Sequence, residues 1–204
     1  MTLNIGIIDL GINNLFSISN AIKHLGYSPN VSSDRKVLEN SECLILPGVG
    51  SYGYASSELK KKNLDLMIKE YVLTNKTLIG ICLGFQLLFD ESEEFGSFKG
   101  LSIFNGKVKR LDSLKKNVNI PNVGWRKTFM IKDSVPQYFD NFYYVHSFYV
   151  DPVSKNEILM ESKFEDINFC SAIKKKNVYG CQFHPEKSGV AGIKLLEKFI
   201  KNEF

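Results

Sequence analysis

A cysteine stands between two glycines in residues 80–84, which read Gly-Ile-Cys-Leu-Gly. The apolar run Thr77 to Ile81 before it predicts a strand, and Leu83 to Phe89 after it predicts a helix. Two glycines at such a junction allow a tight, strained turn that lifts the side chain to the C-terminal edge of a sheet. The first amides of the helix would then stabilise a thiolate. Cys82 is therefore a candidate nucleophile, and a small buried packing cysteine is the alternative.

A cysteine nucleophile needs a base, and the sequence offers three histidines. His184 follows an apolar strand, and Glu186 comes two residues later, on the same side of an extended chain. A carboxylate there can hold one imidazole tautomer and stabilise the imidazolium. The alternative is a capping histidine beside a solvated glutamate. His24 is expected to be a surface or capping residue, and His146 a residue that supports or contacts a substrate.

Acyl transfer also needs donors for the oxyanion. The backbone N–H of Leu83 is one candidate, because it follows the nucleophile. The second candidate is the loop Pro47-Gly48-Val49-Gly50, which comes after the apolar strand Cys43 to Leu46. A plain turn is the alternative for this loop.

The remaining elements must bring these residues to one edge of a sheet. The first half alternates apolar strands with helical patterns, which predicts a parallel sheet covered on both faces. Besides those above, the predicted elements of that half are the strand Leu3 to Ile8 and helices around Leu15–Leu25 and Leu64–Val72. The second half predicts an antiparallel or mixed extension, with strands at Leu101–Val108, Phe142–Val150, Ile167–Ile173 and Val178–Phe183 and a helix at Gly189–Ile200. No linker interrupts the chain, so residues 1–204 are predicted to form a single domain.

The amino-acid composition limits the classes of function that this chain is expected to have. The 204 residues are 44% hydrophobic and 24% charged, with a net charge of +4, which is too balanced to indicate nucleic-acid binding. The four cysteines form no CxxC pair and the histidines are too scattered for a metal-ligand spacing, so a zinc site is not expected. No apolar stretch is long enough for a membrane helix, and no signal peptide is evident. Free thiols suit a reducing compartment, so a cytoplasmic enzyme or binding domain is expected.

Three motifs together resemble the class I glutamine amidotransferases: GICLGFQLL at 80–88, LPGVG at 46–50 and QFHPEKS at 182–188. Within that family, the chain resembles over its whole length the glutaminase subunits of imidazole glycerol phosphate synthase, from histidine biosynthesis. The supporting segments are IID at 7–9, DESEE at 90–94, PNVGW at 121–125 and YVHS at 144–147. The anthranilate-type relatives carry an SPGPG-like loop instead of PGVG. The resemblance implies a flavodoxin-like three-layer α/β/α fold with a mixed central sheet and an antiparallel extension.

The resemblance also implies a reaction and its residues. Cys82 would be the nucleophile, His184 the general base and then acid, and Glu186 the orienting carboxylate, hydrolysing L-glutamine to glutamate and ammonia without a metal or cofactor. Glutamine would be contacted by the backbone of the Val49–Gly50 loop and by four further residues, which are Gln86, Glu94, His146 and Ser147.

The family delivers its ammonia to a (β/α)8-barrel cyclase, with which the glutaminase forms a heterodimer. The cyclase makes imidazole glycerol phosphate and an aminoimidazole carboxamide ribotide, an intermediate shared with purine synthesis. The residues that the resemblance places at the partner surface are Asn13, Asn14, Trp125, Tyr143 and Lys187.

This chain departs from the family at three positions. Asn13 stands where a glycine is usual, and PNVGWRK replaces PHxGWN, which changes Asn122 and Arg126. The last two are expected near the partner surface, so the acceptor of the ammonia stays open. The alternative is a paralogous glutaminase subunit of a synthase that amidinates a sugar in surface-polysaccharide synthesis. A peptidase or γ-glutamyl hydrolase, and a binding or chaperone-like module without activity, are more distant alternatives.

Overall fold

The computed structural model describes residues 3–11, 14–115, 117–132 and 135–204. These residues contain six α-helices, which are α1 Leu15–His24, α2 Arg35–Glu39, α3 Tyr52–Lys61, α4 Leu64–Val72, α5 Leu83–Leu87 and α6 Gly189–Ile200. Short 3-10 helices lie at Leu111–Ser113, Lys155–Glu157 and Pro185–Lys187. None of the helices in the described ranges is long and apolar enough to cross a membrane.

The same ranges contain thirteen strands in one sheet. In the first half they are β1 Asn4–Ile8, β2 Ser28–Ser32, β3 Cys43–Gly48, β4 Thr77–Cys82, β5 Glu91–Ser92 and β6 Phe98–Lys99. In the second half they are β7 Gly106–Arg110, β8 Asn122–Lys132, β9 Val135–His146, β10 Phe148–Pro152, β11 Ile158–Phe164, β12 Ile167–Lys175 and β13 Val178–Cys181.

The sheet has a parallel half and a largely antiparallel half. Its main path runs β2-β1-β3-β4-β13-β12-β10-β7-β5-β6, and β11, β8 and β9 branch from β12. The pairs from β2 to β13 are all parallel. Beyond β13, the pairs β13–β12, β12–β10 and β10–β7 are antiparallel. The mixed α/β fold with an antiparallel extension, expected from the motifs, is confirmed.

The helices cover both faces of the parallel half. Successive residues of β3 point to opposite sides, so Cys43 and Ile45 join one buried cluster while Leu44 and Leu46 join the other. The first cluster includes the apolar sides of α1 and α6, and the second includes those of α3, α4 and α5. A strand that is buried on both faces has a continuous apolar sequence, which is why the pattern predicted it.

Several predicted elements agree closely with the structure. The strands β1, β3, β4 and β12, and the helices α1, α4 and α6, lie where periodicity placed them, within about two residues at each end. Gly26, two residues beyond the end of α1, has φ of +84°, a backbone conformation that glycine adopts without a steric penalty.

Other expectations were wrong in detail. The apolar run Leu101–Val108 forms a strand only from Gly106, because Leu101 and Phe104 are buried against the second cluster without entering the sheet. The run Phe142–Val150 is two strands that separate at Ser147. The strand β2 was not predicted, because it lies at a sheet edge and buries no side chain fully.

Candidate active site

Cys82 ends β4 and immediately precedes α5, in a strained conformation with φ of 55° and ψ of −108°. A non-glycine residue in this region costs of the order of 1–3 kcal/mol, which the surrounding structure must offset. Gly84 makes the turn possible, because a Cβ atom there would lie 1.8 Å from the carbonyl oxygen of Leu46. The predicted sharp strand-to-helix turn is therefore present, and it brings Cys82 to the C-terminal edge of the parallel strands.

His184 and Glu186 form a buried pair just beyond β13. His184 Nδ1 lies 2.9 Å from Glu186 Oε1, and the two side chains are 3% and 5% exposed. The backbone holds the histidine in place, since His184 N–H donates to the carbonyl of Tyr143 at 2.9 Å. Ser188 supports it further by donating its hydroxyl to the carbonyl of His184 at 2.6 Å.

The charge state of His184 follows from its neighbours. Burial acts to lower its pKa, but the nearby Cys82 sulfur and the Glu186 carboxylate raise the pKa more strongly, to about 10. The imidazole is therefore protonated when Cys82 is a thiolate. Among the described residues, His184 Nε2 is buried without a hydrogen-bond partner. That nitrogen is free to exchange a proton with a reacting group, as the base of a nucleophilic triad does.

A cavity of about 340 Å³ opens beside Cys82. It brings together the residues predicted for the oxyanion site and for substrate binding, which are Val49, Gly50, Leu83, Gln86, Glu94, His146 and Ser147. His184 and Glu186 line a second, small cleft together with Asn14 and with Val49, which lines both spaces. The roles of these residues toward a substrate stay predictions.

Glu94 is a carboxylate at the wall of this cavity that also contacts the first residue of α3. Its Oε2 accepts the backbone N–H of Tyr52 at 2.6 Å. Burial raises the pKa of Glu94, and the hydrogen bond from Tyr52 partly offsets this. Since Tyr52 is only two residues beyond Gly50, Glu94 anchors the point at which the candidate oxyanion loop enters α3.

His146 is a buried neutral imidazole with both nitrogens engaged. Its Nδ1 lies 2.8 Å from the carbonyl of Phe148, which can only accept, and its Nε2 lies 2.9 Å from the amide nitrogen of Asn122. These partners require the tautomer with the proton on Nδ1. Burial lowers the pKa of His146 to about 4, although the bond to Phe148 opposes this shift.

Asn122 was expected near the partner surface, and the structure shows that its side chain is fully buried and does not reach the surface itself. Asn122 is fully buried behind the cavity, where it binds His146, and Arg126 Nε donates to its Oδ1 at 2.8 Å. Its strand pairs with β9 in a register that puts Asn122 opposite His146. That register depends on tertiary pairing, so the position of a changed motif residue gave no indication of it.

The residues predicted at a partner surface are distributed as follows. Trp125 is 52% exposed, and its ring makes an edge contact with the ring of Tyr143 at 6.2 Å between centroids. Asn14 and Lys187 are exposed. Asn13 lies outside the described residues.

Sequence reasoning missed Gln182. It is fully buried in the motif before His184, and its Nε2 lies 3.7 Å from Cys82 Sγ. A glutamine one residue past a buried strand was the only available signal. Within the described ranges, no group of three His, Cys, Asp or Glu side chains could hold a metal ion.

Comparison with known proteins identifies the family of this chain. The family model for class-I glutamine amidotransferases matches residues 6–202. The chain is 41% identical to the imidazole glycerol phosphate synthase subunit HisH of Bacillus velezensis, covering 97% of this chain and 95% of the relative. It is 42% identical to the subunit of the same name from Prochlorococcus marinus, covering 98% and 95%.

A crystal structure of a glutamine amidotransferase superposes with a TM-score of 0.74, covering 97% of both chains. It is only 18% identical, so it bears on the fold alone. The sequence matches, which cover nearly the whole of both chains, carry the assignment further. The chain belongs to the class-I glutamine amidotransferase family.

Proposed function

We propose that this chain is the glutaminase subunit of an imidazole glycerol phosphate synthase, in which Cys82, His184 and Glu186 form the catalytic triad. The observation that carries this proposal is the buried His184–Glu186 pair at 2.9 Å beside a strained, cavity-lining Cys82. The sequence relationship to the HisH subunits supports it.

The geometry supports a two-step acyl transfer. The Cys82 thiolate attacks the side-chain amide carbon of L-glutamine, and the protonated His184 gives its Nε2 proton to the departing ammonia. This leaves a glutamyl thioester on Cys82. His184, now neutral, takes a proton from water, the resulting hydroxide attacks the thioester, and glutamate leaves as the sulfur recovers its electron pair. Glu186 holds the proton of His184 on Nδ1 throughout.

The tetrahedral oxyanion needs two donors. Leu83 is the first residue of α5, so its N–H has no partner within the helix. The second donor in this proposal is a peptide N–H of the Val49–Gly50 loop, next to the cavity. Gly50 has φ of +99°, a conformation that lets this peptide orient in ways other residues resist. Gln86, Glu94, His146 and Ser147 are proposed to contact the substrate.

A partner subunit is part of the proposal, because hydrolysis alone would release ammonia to water. One face of the ribbon formed by β8 and β9 is largely exposed and apolar. The exposed Val123 pairs with the exposed Val145, and the exposed Trp125 pairs with the half-buried Tyr143. Val145 also lines the cavity. A (β/α)8-barrel cyclase that covers this face would form a heterodimer and receive the ammonia next to its source. Asn14 and Lys187 would lie at the margin of the interface.

The proposal includes one glutaminase domain over residues 1–204 and a cytoplasmic location. The four cysteines of the chain are all free thiols, which agrees with a reducing compartment. The continuous sheet that joins the two halves agrees with one domain.

The experiment uses the chain together with its cognate cyclase. Cys82→Ala should abolish glutamine-dependent formation of imidazole glycerol phosphate, whereas synthesis from added ammonium salt should continue. Cys43→Ala is the matched control, because Cys43 is a buried thiol in the core of β3, and both activities should survive there. Continued glutamine hydrolysis by Cys82→Ala would refute the triad.

The same assay separates the alternatives. A complex that consumes glutamine only with a sugar acceptor, and not with the phosphoribulosyl-formimino nucleotide, would identify the paralogous amidinating synthase instead. Cleavage of γ-glutamyl peptides in preference to glutamine would identify a hydrolase of another class.

A further inference from the structure

Gln182 lies against the candidate nucleophile without belonging to the triad. Its side-chain nitrogen is 3.7 Å from Cys82 Sγ, and no part of Gln182 reaches solvent. An amide nitrogen can only donate, so in this contact an N–H of Gln182 points at the sulfur from the protein interior. Such a donor stabilises the charged sulfur more than the neutral thiol.

The orientation of the Gln182 amide is set by Gln86. Gln86 Nε2 donates to Gln182 Oε1 at 3.1 Å and to the carbonyl of Phe148 at 3.0 Å. Because Gln182 Oε1 must accept, its nitrogen must face Cys82. If the Gln182 amide were rotated by half a turn, its nitrogen would face the Gln86 nitrogen, which is also a donor. The Cys82 sulfur would then have no N–H pointing at it.

The carbonyl of Phe148 connects this pair to His146. It accepts from His146 Nδ1 as well as from Gln86, and His146 Nε2 accepts from the Asn122 amide. Asn122 is oriented in turn by Arg126, whose Nε donates to Asn122 Oδ1. Each amide or ring in this series therefore has its orientation fixed by a neighbour.

This series of hydrogen-bonded side chains, from Gln182 through Gln86, His146 and Asn122 to Arg126, reaches the surface at the segment Val123–Arg126. Arg126 donates from its two terminal nitrogens to the backbone carbonyls of Trp125, at 2.9 Å, and Val123, at 3.0 Å. The side chains of these two residues are 52% and 47% exposed. A displacement of this exposed segment would therefore move Arg126, the first member of a series that ends at Cys82.

We propose that Gln182 is a catalytic hydrogen-bond donor to the Cys82 thiolate, and that Arg126, Asn122, His146 and Gln86 are positioning residues that hold it there from the exposed segment Val123–Arg126. This rests on the proposed function in taking Cys82 as the nucleophile. It assigns a role to Asn122 and Arg126, the two changed motif residues.

The experiment measures the sulfur directly. The rate at which iodoacetamide alkylates Cys82 is followed across pH in the full chain, by mass spectrometry of the peptide that contains Cys82. Gln182→Met keeps the side-chain length and removes the donor. Since a hydrogen bond to a charged group contributes about 1.5–3 kcal/mol, the midpoint of the pH profile should rise by about one pH unit or more. Gln137→Met, at an exposed glutamine of β9, is the control and should leave the midpoint in place.

A second variant tests the series. Arg126→Met should shift the midpoint in the same direction by a smaller amount, and Arg35→Met, at an exposed arginine of α2, should not. The double variant Arg126→Met/Gln182→Met should shift it no further than Gln182→Met alone, because both act through one donor. Additive shifts would overturn the series, and an unchanged midpoint in Gln182→Met would overturn the donor.

The alkylation results can be separated from a failure of the proposed function. Alkylation needs no glutamine, so its pH profile is measured whether or not the chain is a glutaminase. If Gln182→Met leaves the profile unchanged while Cys82→Ala abolishes hydrolysis, the donor is refuted and the glutaminase stands. If Gln182→Met fails to fold, the same upward shift is tested in Gln182→Asn, which retains an amide that is too short to reach the sulfur.

Discussion

Gly48 and Cys82 are register partners across the parallel strands β3 and β4. The loop that follows Gly48 and the turn that holds Cys82 therefore leave the same edge of the sheet side by side. A Cβ on Gly48 would lie 2.7 Å from the Leu83 side chain, so the two backbones approach as closely as a glycine allows. This contact explains how a candidate oxyanion loop, more than thirty residues earlier in the chain, reaches the nucleophile.

The first prediction concerns the pH dependence set by His184. Because its pKa is raised to about 10, the imidazole carries its proton at neutral pH and loses it only in alkali. The proton needed by departing ammonia is therefore available below this value, and kcat/KM for glutamine should fall as pH rises through about 10. Glu186→Gln removes one cause of the raised pKa, so this alkaline limb should move to lower pH.

The measurement is the pH profile of glutamine hydrolysis by the complex, for the unchanged chain and for Glu186→Gln. Glu197→Gln, at the exposed ion pair with Lys201 in α6, is the control. An alkaline limb at the same pH in both chains would show that Glu186 does not act on His184.

The second prediction separates two roles of Glu94. Glu94→Gln keeps an oxygen that can accept from Tyr52 N–H but removes the charge that would pair with the substrate ammonium. KM for glutamine should rise about 10- to 100-fold, the loss of one charged hydrogen bond, with a smaller change in kcat. Glu94→Ala also releases the start of α3, so kcat should fall as well. Equal effects of the two variants on kcat would argue against the loop anchor.

The third prediction concerns the exposed ribbon face. Trp125→Ala removes the largest side chain of this exposed face and should weaken binding of the cyclase about 30-fold or more, as loss of an interface hot spot does. Leu73→Ala is the control, because Leu73 is 82% exposed and lies near Val178, at the amino-terminal end of β13. Affinity is measured by titration calorimetry of the two subunits, and equal affinity of the Trp125→Ala chain would exclude this face from the interface.

The fourth prediction concerns the turn itself. Gly84→Ala forces a Cβ into the carbonyl of Leu46, so it should lower the free energy of unfolding by about 3 kcal/mol or more. Gly26→Ala meets open space and only strains a left-handed residue, which costs about 1 kcal/mol. Urea unfolding followed by circular dichroism compares them. A similar decrease in the free energy of unfolding in the two variants would show that the turn accommodates a methyl group at Gly84 at little cost.

The elements predicted most accurately are strands that are buried on both faces and helices that are buried along one side. β3 and β4 are buried on both faces and α6 on one stripe, so their apolar patterns locate them. The polar edge strand β2 and the strand β8 were not predicted because they carry no such pattern, and pairing with a neighbour decides their conformation.

The sequence by itself determined what depends on short spacing. A cysteine between two glycines and a glutamate two residues after a histidine specify a strained turn and a hydrogen-bonded pair, because local geometry alone brings these atoms together. Only the tertiary structure decided contacts across the sheet. Gln182 and Cys82 are 100 positions apart, Tyr52 and Glu94 are 42 apart, and Asn122 and His146 are 24 apart. Strand order and register bring them together, and neither is encoded in the residues that meet.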